Sequence, residues 1–166
     1  RILGHHRYCY WPVSKSSTVI GYKNIYAGIE TSPGYMPGCY IQGIGKIYIG
    51  DYTQIASNVG IISSNHDVYD SRKHILESVK IGKYCWIGMG ALILPGVELG
   101  DFTIVGAGSV VTKSYKNGYC IMVGNPAKVI KLLEKGKCIP FKSIYEYHGY
   151  IPAAKFNEFR KRHLHV

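Results

Sequence analysis

One histidine stands where the sequence changes character. His66 closes the segment Ile61–His66 and opens onto the polar stretch Asp67–Lys80. An imidazole, with an ordinary pKa of about 6.5, is the side chain best suited to take a proton from a hydroxyl near neutral pH. The same place also suits a polar loop residue that merely caps an apolar segment. A working base needs a group to hold its tautomer. Asp67, Asp70 and Glu77 are the local carboxylates, Asp67 favoured by adjacency, and a backbone carbonyl would serve as well. Adjacent side chains on extended backbone point opposite ways, which counts against Asp67. Asn65 flanks the histidine on its other side and could contact an acceptor or a carbonyl oxygen. No GxSxG motif supplies a nucleophile. The remaining histidines, His5, His6, His74, His148, His163 and His165, read as surface residues.

The elements that must position His66 follow from a period. Every sixth residue from Ile49 gives Ile49, Ile55 and Ile61, and after an interruption Ile81, Ile87, Ile93, Leu99, Val105 and Val111. Ile, Leu and Val make up about a quarter of the chain, so an unbroken aliphatic series is far from chance. The next position is small at Gly50, Ala56, Gly82, Gly88, Gly100 and Gly106. Four places after the aliphatic come the compact residues Thr53, Val59, Cys85, Ala91, Val97, Thr103 and Ser109. A period of six fits neither a helix nor a plain strand. It suits a three-sided coil: the aliphatic points inward, the small residue permits the corner, and parallel coils stack about 4.8 Å apart. Val19, Ile25, Ile41 and Ile47 suggest looser coils upstream, with a loop at 31–38 (TSPGYMPG). The coils are expected over 19–123, with a second loop at 67–80. Ile61 and Ile81 are two places further apart than one coil of three six-residue sides, so the chain is expected to leave the prism just after His66 and return about a side later. GNPAK at 124–128 reads as a turn opening a short helix through Glu134, and a last helix is expected after Pro152 in the tail.

The chain has 166 residues, enough for one domain, and 46% are hydrophobic. Twenty glycines fit many tight corners. The net charge of +10 asks for an anionic partner, but the lysines and arginines are scattered and form no stripe for a nucleic-acid duplex. Scattered lysines suit a phosphate-bearing cofactor better. Five cysteines with no CxxC pair argue against a disulfide framework or a zinc site and for a reducing compartment. No apolar stretch is long enough to span a bilayer, so no membrane span and a cytoplasmic location are expected.

The segments IGKYCWIGMGALILPGVELGDFTIVGAGSVVTK (81–113) and VGNPAKVIK (123–131) resemble the C-terminal coils of the maltose, galactoside and xenobiotic acetyltransferases. IYIGDYTQIASNVGIISSNHD (47–67) is similar to the coil that carries their catalytic histidine. CYIQGIGKIYIGD (39–51) and the NHD triplet look most like polysaccharide O-acetyltransferases. The resemblance implies an all-β, left-handed parallel β-helix, an exception to the right-handed crossover rule, with a short C-terminal helical segment. It implies direct transfer of acetyl from acetyl-CoA to a hydroxyl of a small acceptor, a sugar of the capsule or O-antigen type, with His66 as base and no metal.

In such enzymes the CoA arm lies along a groove between adjacent prisms. By position, Trp86, Gly88, Met89, Ala107, Thr112 and Lys113 fall where that groove meets CoA, and Lys128 and Lys131 where basic residues meet its phosphates. Met89 replaces a serine found in some relatives, which removes a hydroxyl contact. The family's site lies between subunits and implies a homotrimer. Tyr35, Tyr40, Tyr69 and Trp11 are candidates to stack on a sugar ring. Two alternatives stay open: a β-helix scaffold without catalysis, and a metal-dependent enzyme resembling the γ-type carbonic anhydrases, which needs three histidines.

Overall fold

The computed structural model describes residues 8–166; His5 and His6 lie outside them. Aliphatic side chains recurring every sixth residue wind the chain through three parallel sheets. The first pairs Thr18–Ile20, Tyr40–Gln42, Gly60–Ile62, Leu92–Ile93 and Val110–Val111. The second pairs Gln54–Ile55, Trp86–Ile87, Thr103–Val105 and Cys120–Gly124, closed by the antiparallel strand Ala127–Leu132. The third pairs Ile25–Ala27, Lys46–Ile49, Ser78–Ile81 and Glu98–Leu99. From Lys46 onward the order is third, second, first, repeated. In the regular part, Ile81 lies opposite Leu99, Ile87 opposite Val105 and Ile93 opposite Val111, each partner one three-sided coil further along the chain. Upstream the turns are longer, since Val19 meets Ile41 and Ile25 meets Ile47.

Eight of the nine periodic aliphatics are buried, as are all seven compact residues four places on. Ile55 is the half-buried one. Its strand begins the second sheet, because residues 31–38 loop away instead of forming a strand above it. The compact column keeps polar atoms inside by bonding them to neighbouring backbone. The Thr53 hydroxyl donates to the Gly82 carbonyl at 2.7 Å and accepts from the Cys85 amide at 3.1 Å. Cys39 and Cys85 stand in the same kind of place, their thiols reaching the carbonyls of Ala56 and Gly100. Buried hydroxyls and thiols so satisfied cost little, so Cys39 and Cys85 sit in the core as free thiols.

Aromatic rings form a ladder down the corner between the third and second sheets. Tyr52, Tyr84, Phe102 and Tyr119 stack with centroids 5.3, 4.8 and 5.1 Å apart, all at positive φ. The chain beyond the last strand runs back along this ladder. Lys135 covers Tyr119, the Tyr84 hydroxyl donates to the Phe141 carbonyl at 2.8 Å, and the Ser143 amide donates to the Tyr52 hydroxyl at 3.2 Å. The return ends in helix α1 (Ala153–His163), whose Phe156 packs on Tyr10 and Tyr26 of the first turns.

Three expectations need correction. Residues 127–132 are a strand, not a helix: Ala127 and Val129 turn inward while Lys128 and Ile130 face out, and the hairpin with Cys120–Gly124 extends the second sheet. His148 is buried rather than exposed, its ring stacked on Phe156 at 3.7 Å with Nδ1 bonded to the Ala27 carbonyl at 2.9 Å. The excursion after Ile61 also differs in extent. Ile49, Ile55 and Ile61 pair with Ile81, Ile87 and Ile93, so a whole coil and the whole of segment 64–77 separate each pair. The departure therefore comes after Ser63, not after His66.

Candidate functional site

Segment 64–77 makes a β-hairpin that leaves the corner between the first and third sheets. Ser64–His66 pairs antiparallel with His74–Leu76, setting Asn65 opposite Ile75 and His66 opposite His74. Its root is clamped: the Ser63 hydroxyl donates to the Gln42 carbonyl at 2.6 Å, and the Ser64 amide and hydroxyl meet Gln42 Oε1. At the tip, Asp67 Oδ1 accepts from the amides of Tyr69 (2.8 Å) and Asp70 (2.9 Å), the side-chain turn that Asp favours. Asp70 is held by Arg72 at 2.9 Å and Lys73 at 3.7 Å, exposed pairs that shape the turn more than they stabilise it.

His66 Nδ1 lies 2.6 Å from the Ser71 carbonyl oxygen. A carbonyl only accepts, so Nδ1 carries the proton of the neutral ring and Nε2 keeps a free lone pair. The tautomer is thus set by the backbone across the tip. Asp67, first in line by adjacency, instead spends its carboxylate on the turn. Asp70 is engaged by Arg72, and Glu77 stands at the hairpin root, where its amide donates to Ser63 O at 2.9 Å. Asn65 sits on the opposite face of the hairpin from His66, by the alternation of extended backbone. His74 shares the face of His66, with ring centroids 4.5 Å apart. Sequence reasoning passes it over as a surface residue; the available signal is an Asp-rich turn flanked by two histidines at equal distance from its centre.

Along the second sheet an outward row runs Gln54, Trp86, Ile104, Ile121 and Lys131 in register. Trp86 is 56% exposed. Met89 and Ala107 occupy the corner turns between the second and first sheets, joined by the Gly108 amide to the Met89 carbonyl at 2.8 Å. Lys128 pairs with Val123 at the lower end of the same region. Gly88 is buried rather than lining: a side-chain carbon there would stand 2.7 Å from both Ala107 N and Val105 O, so close coil stacking requires glycine. Thr112 and Lys113 follow Val111 at the other edge of the first sheet, on the side from which the His66 hairpin leaves. Within one chain the sequence-selected residues therefore form two groups. Trp86, Met89, Ala107, Lys128 and Lys131 lie on one flank of the first sheet, and His66, Thr112 and Lys113 on the other. The outward side chains of that sheet include Ile20, Tyr40, Ile62, Leu92 and Val110, without a charge.

A cleft of about 460 Å³ opens at the upper end of the second sheet, lined by Glu30, Ser32, Tyr35, Met36, Gln54 and Ile55 among others. Trp11 is fully buried and donates from Nε1 to the Pro33 carbonyl at 2.8 Å, so it anchors the 31–38 loop and offers no face to a ligand. Tyr35 and Tyr69 are 60% and 97% exposed. Among the described residues no group of three or more His, Cys, Asp or Glu side chains gathers, so the three histidines of the carbonic-anhydrase-like alternative are not found there.

Residues 78–113 match the family model of the bacterial transferase hexapeptide (six repeats). A maltose O-acetyltransferase from Clostridium difficile 630 is 34% identical, covering 75% of this chain and 67% of that one, with a TM-score of 0.66. The chain belongs to the hexapeptide-repeat acetyltransferases. A galactoside acetyltransferase solved in complex with coenzyme A is 26% identical over 82% of this chain and 72% of its own, with a TM-score of 0.64. Nodulation protein L of Rhizobium meliloti (strain 1021) is 46% identical over 61 residues, which span 34% of this chain and about a third (33%) of that protein. The described residues of this chain are mostly strand with one short helix, in a fold similar to those of the maltose and galactoside acetyltransferases. No helix among the described residues is long and apolar enough to cross a membrane.

Proposed function

We propose that this hexapeptide-repeat acetyltransferase moves the acetyl group of acetyl-CoA to a hydroxyl of a sugar by direct transfer, with His66 as the general base. The observation that carries the reading is the 2.6 Å bond from His66 Nδ1 to the Ser71 carbonyl, which leaves Nε2 as the basic atom on a clamped hairpin. Nε2 takes the hydroxyl proton as the acceptor oxygen bonds to the thioester carbon. The C–S bond then breaks, and the imidazolium returns that proton to the departing thiolate of CoA. Direct attack needs no covalent enzyme intermediate.

The donor's place is supported by the row along the second sheet. Gln54 to Lys131 is four strand-to-strand steps, about 19 Å, with Trp86 near its upper end and lysines at its lower end. An extended pantetheine arm suits that length, with the CoA phosphates on Lys128 and Lys131 and the reacting end near the 31–38 cleft. Trp86, Met89 and Ala107 line it, Gly88 supports it from within, and His66, Thr112 and Lys113 of a neighbouring chain complete it. That last point favours a homotrimer. A cyclic, head-to-tail contact across the uncharged first sheet brings one flank of each subunit against the other flank of the next. The coil is left-handed on this reading, as the family resemblance implies. The acceptor is a glycan precursor of the capsule or O-antigen type, supported by the resemblance of residues 39–51 and by a cleft that pairs Glu30, Ser32 and Gln54 with the exposed Tyr35. A cytoplasmic location fits the donor and the five free thiols.

The test compares the protein with His66→Ala, titrating acetyl-CoA by calorimetry and following thiol release with a panel of acceptor sugars. Both proteins should bind CoA alike, while the variant loses about 10²-fold or more in turnover. Wild type that binds no CoA would sink the reading, and a fully active variant would remove His66 as base.

A further inference from the structure

His66 and His74 face each other across the hairpin at its closest kind of pairing. The Asp67 amide donates to the Lys73 carbonyl at 2.9 Å and the Glu77 amide to the Ser63 carbonyl at 2.9 Å. Hydrogen-bonded pairs alternate with non-bonded ones in an antiparallel ladder, which makes 66/74 a non-bonded pair, where Cα atoms approach to about 4.5 Å and side chains lie nearest. Both rings are exposed, with centroids 4.5 Å apart and planes at 41°. His66 uses Nδ1 on Ser71, and no hydrogen bond engages His74's ring nitrogens among the described residues. The nearby carboxylates are engaged, Asp67 in the turn and Asp70 with Arg72.

We propose that His66 and His74 form a two-imidazole site for a borderline divalent cation such as zinc, which binds reversibly and occupies the lone pair of the base. Zinc–imidazole bonds of about 2.1 Å put each ring centre roughly 3.2 Å from the ion, and centres 4.5 Å apart then subtend about 90° at the metal. Opening to the tetrahedral angle needs the centres at about 5.2 Å, a small turn of two exposed side chains. The Nδ1 bond of His66 to a backbone carbonyl is the outer contact that orients metal-bound histidines and leaves Nε2 to the ion. With two protein ligands and water in the remaining positions, the ion exchanges rather than serving as a structural element. The site rests on two exposed imidazoles facing each other across a non-bonded pair; its effect on turnover rests on the role proposed for His66.

The test titrates the full chain with zinc chloride by calorimetry, for wild type, His66→Ala, His74→Ala and His74→Phe, the last keeping a ring in place without a ligand atom. Wild type should show a site saturating at micromolar zinc that is lost in all three variants while their melting temperatures hold. Zinc should suppress acetyl-CoA-dependent thiol release by wild type, reversed by a chelator, and His74→Phe should be insensitive. No saturable site in wild type, or a His74→Phe variant that binds zinc as wild type does, overturns the site. Zinc bound without loss of turnover overturns the inhibition. If no acetyl transfer is found at all, the zinc titration still decides the site.

Discussion

Tyr84 stands in the middle of the aromatic ladder, so replacing it tests what holds that corner together. Its ring stacks on Tyr52 at 5.3 Å and on Phe102 at 4.8 Å, and its hydroxyl donates to the Phe141 carbonyl at 2.8 Å. Each aromatic pair contributes about 0.5–1.5 kcal/mol and the hydrogen bond a similar amount. Because Tyr84 is half-exposed, the lower part of the range applies, and Tyr84→Ala should cost roughly 2 kcal/mol. For a chain of this size that is a fall of about 4–8 °C in melting temperature. A second variant separates packing from backbone. Tyr84 holds φ +55°, a conformation that costs a residue with a side chain about 1–2 kcal/mol and glycine almost nothing. Tyr84→Gly should therefore melt at or above Tyr84→Ala, reversing the usual order. Thermal denaturation at fixed protein concentration reads both. An alanine variant within a degree of wild type, or a glycine variant melting below alanine, refutes the reasoning.

Other outcomes follow from groups already described. Asp67→Ala removes the acceptor of two tip amides, and loosening the hairpin should lower turnover about tenfold with CoA affinity unchanged; unaltered turnover would show that the tip does not position His66. Burial lowers the His148 pKa, against the opposing pull of the Ala27 carbonyl, Asp51 and Glu146. The unfolded chain then binds more protons, so stability should fall as pH drops through the ordinary histidine range, about 6.5 and below. His148→Phe should flatten that slope in denaturation midpoints measured between pH 5 and 8. Burial pushes the Cys85 thiol up to about 12, so a thiol reagent at pH 8 should label the half-buried Cys138 and spare Cys85 in the folded protein.

What can be read from the sequence is what recurs. Ile87, Val105 and their fellows repeat because each coil repeats the same inward position, and Pro152 ahead of Ala153–His163 marks the last helix by ordinary start chemistry. The hairpin is harder to place. Ser63 still fills a coil position, and Ser64–His66 are polar whether they cap a coil or start an arm; only pairing with His74–Leu76 tells these apart, and pairing is long-range information. AKVIKL at 127–132 holds both lysines and β-branched residues, so the sheet edge waiting at Cys120–Gly124 decides the outcome, not local preference. The ladder is legible but easily overlooked: Tyr52, Tyr84 and Phe102 each stand three places after Ile49, Ile81 and Leu99.

The strap that runs back along the ladder also bears on how such a protein can grow. A stacked repeat ordinarily lengthens by copying a unit, since each unit touches only its neighbours. Here Cys120–Gly124 lies at one end of the column, while Tyr147 accepts the Glu30 amide at 3.0 Å and Tyr10 accepts that of Tyr150 at 2.9 Å at the other. The segment between them has to match the height of everything it crosses. One duplicated coil would raise the column by about 4.8 Å and pull the strap out of step with Tyr52, Tyr84 and Tyr119 unless the strap lengthened as well. The strap is thus a ruler: it ties the number of coils to its own length, and a change in either one alone would unseat the terminal helix.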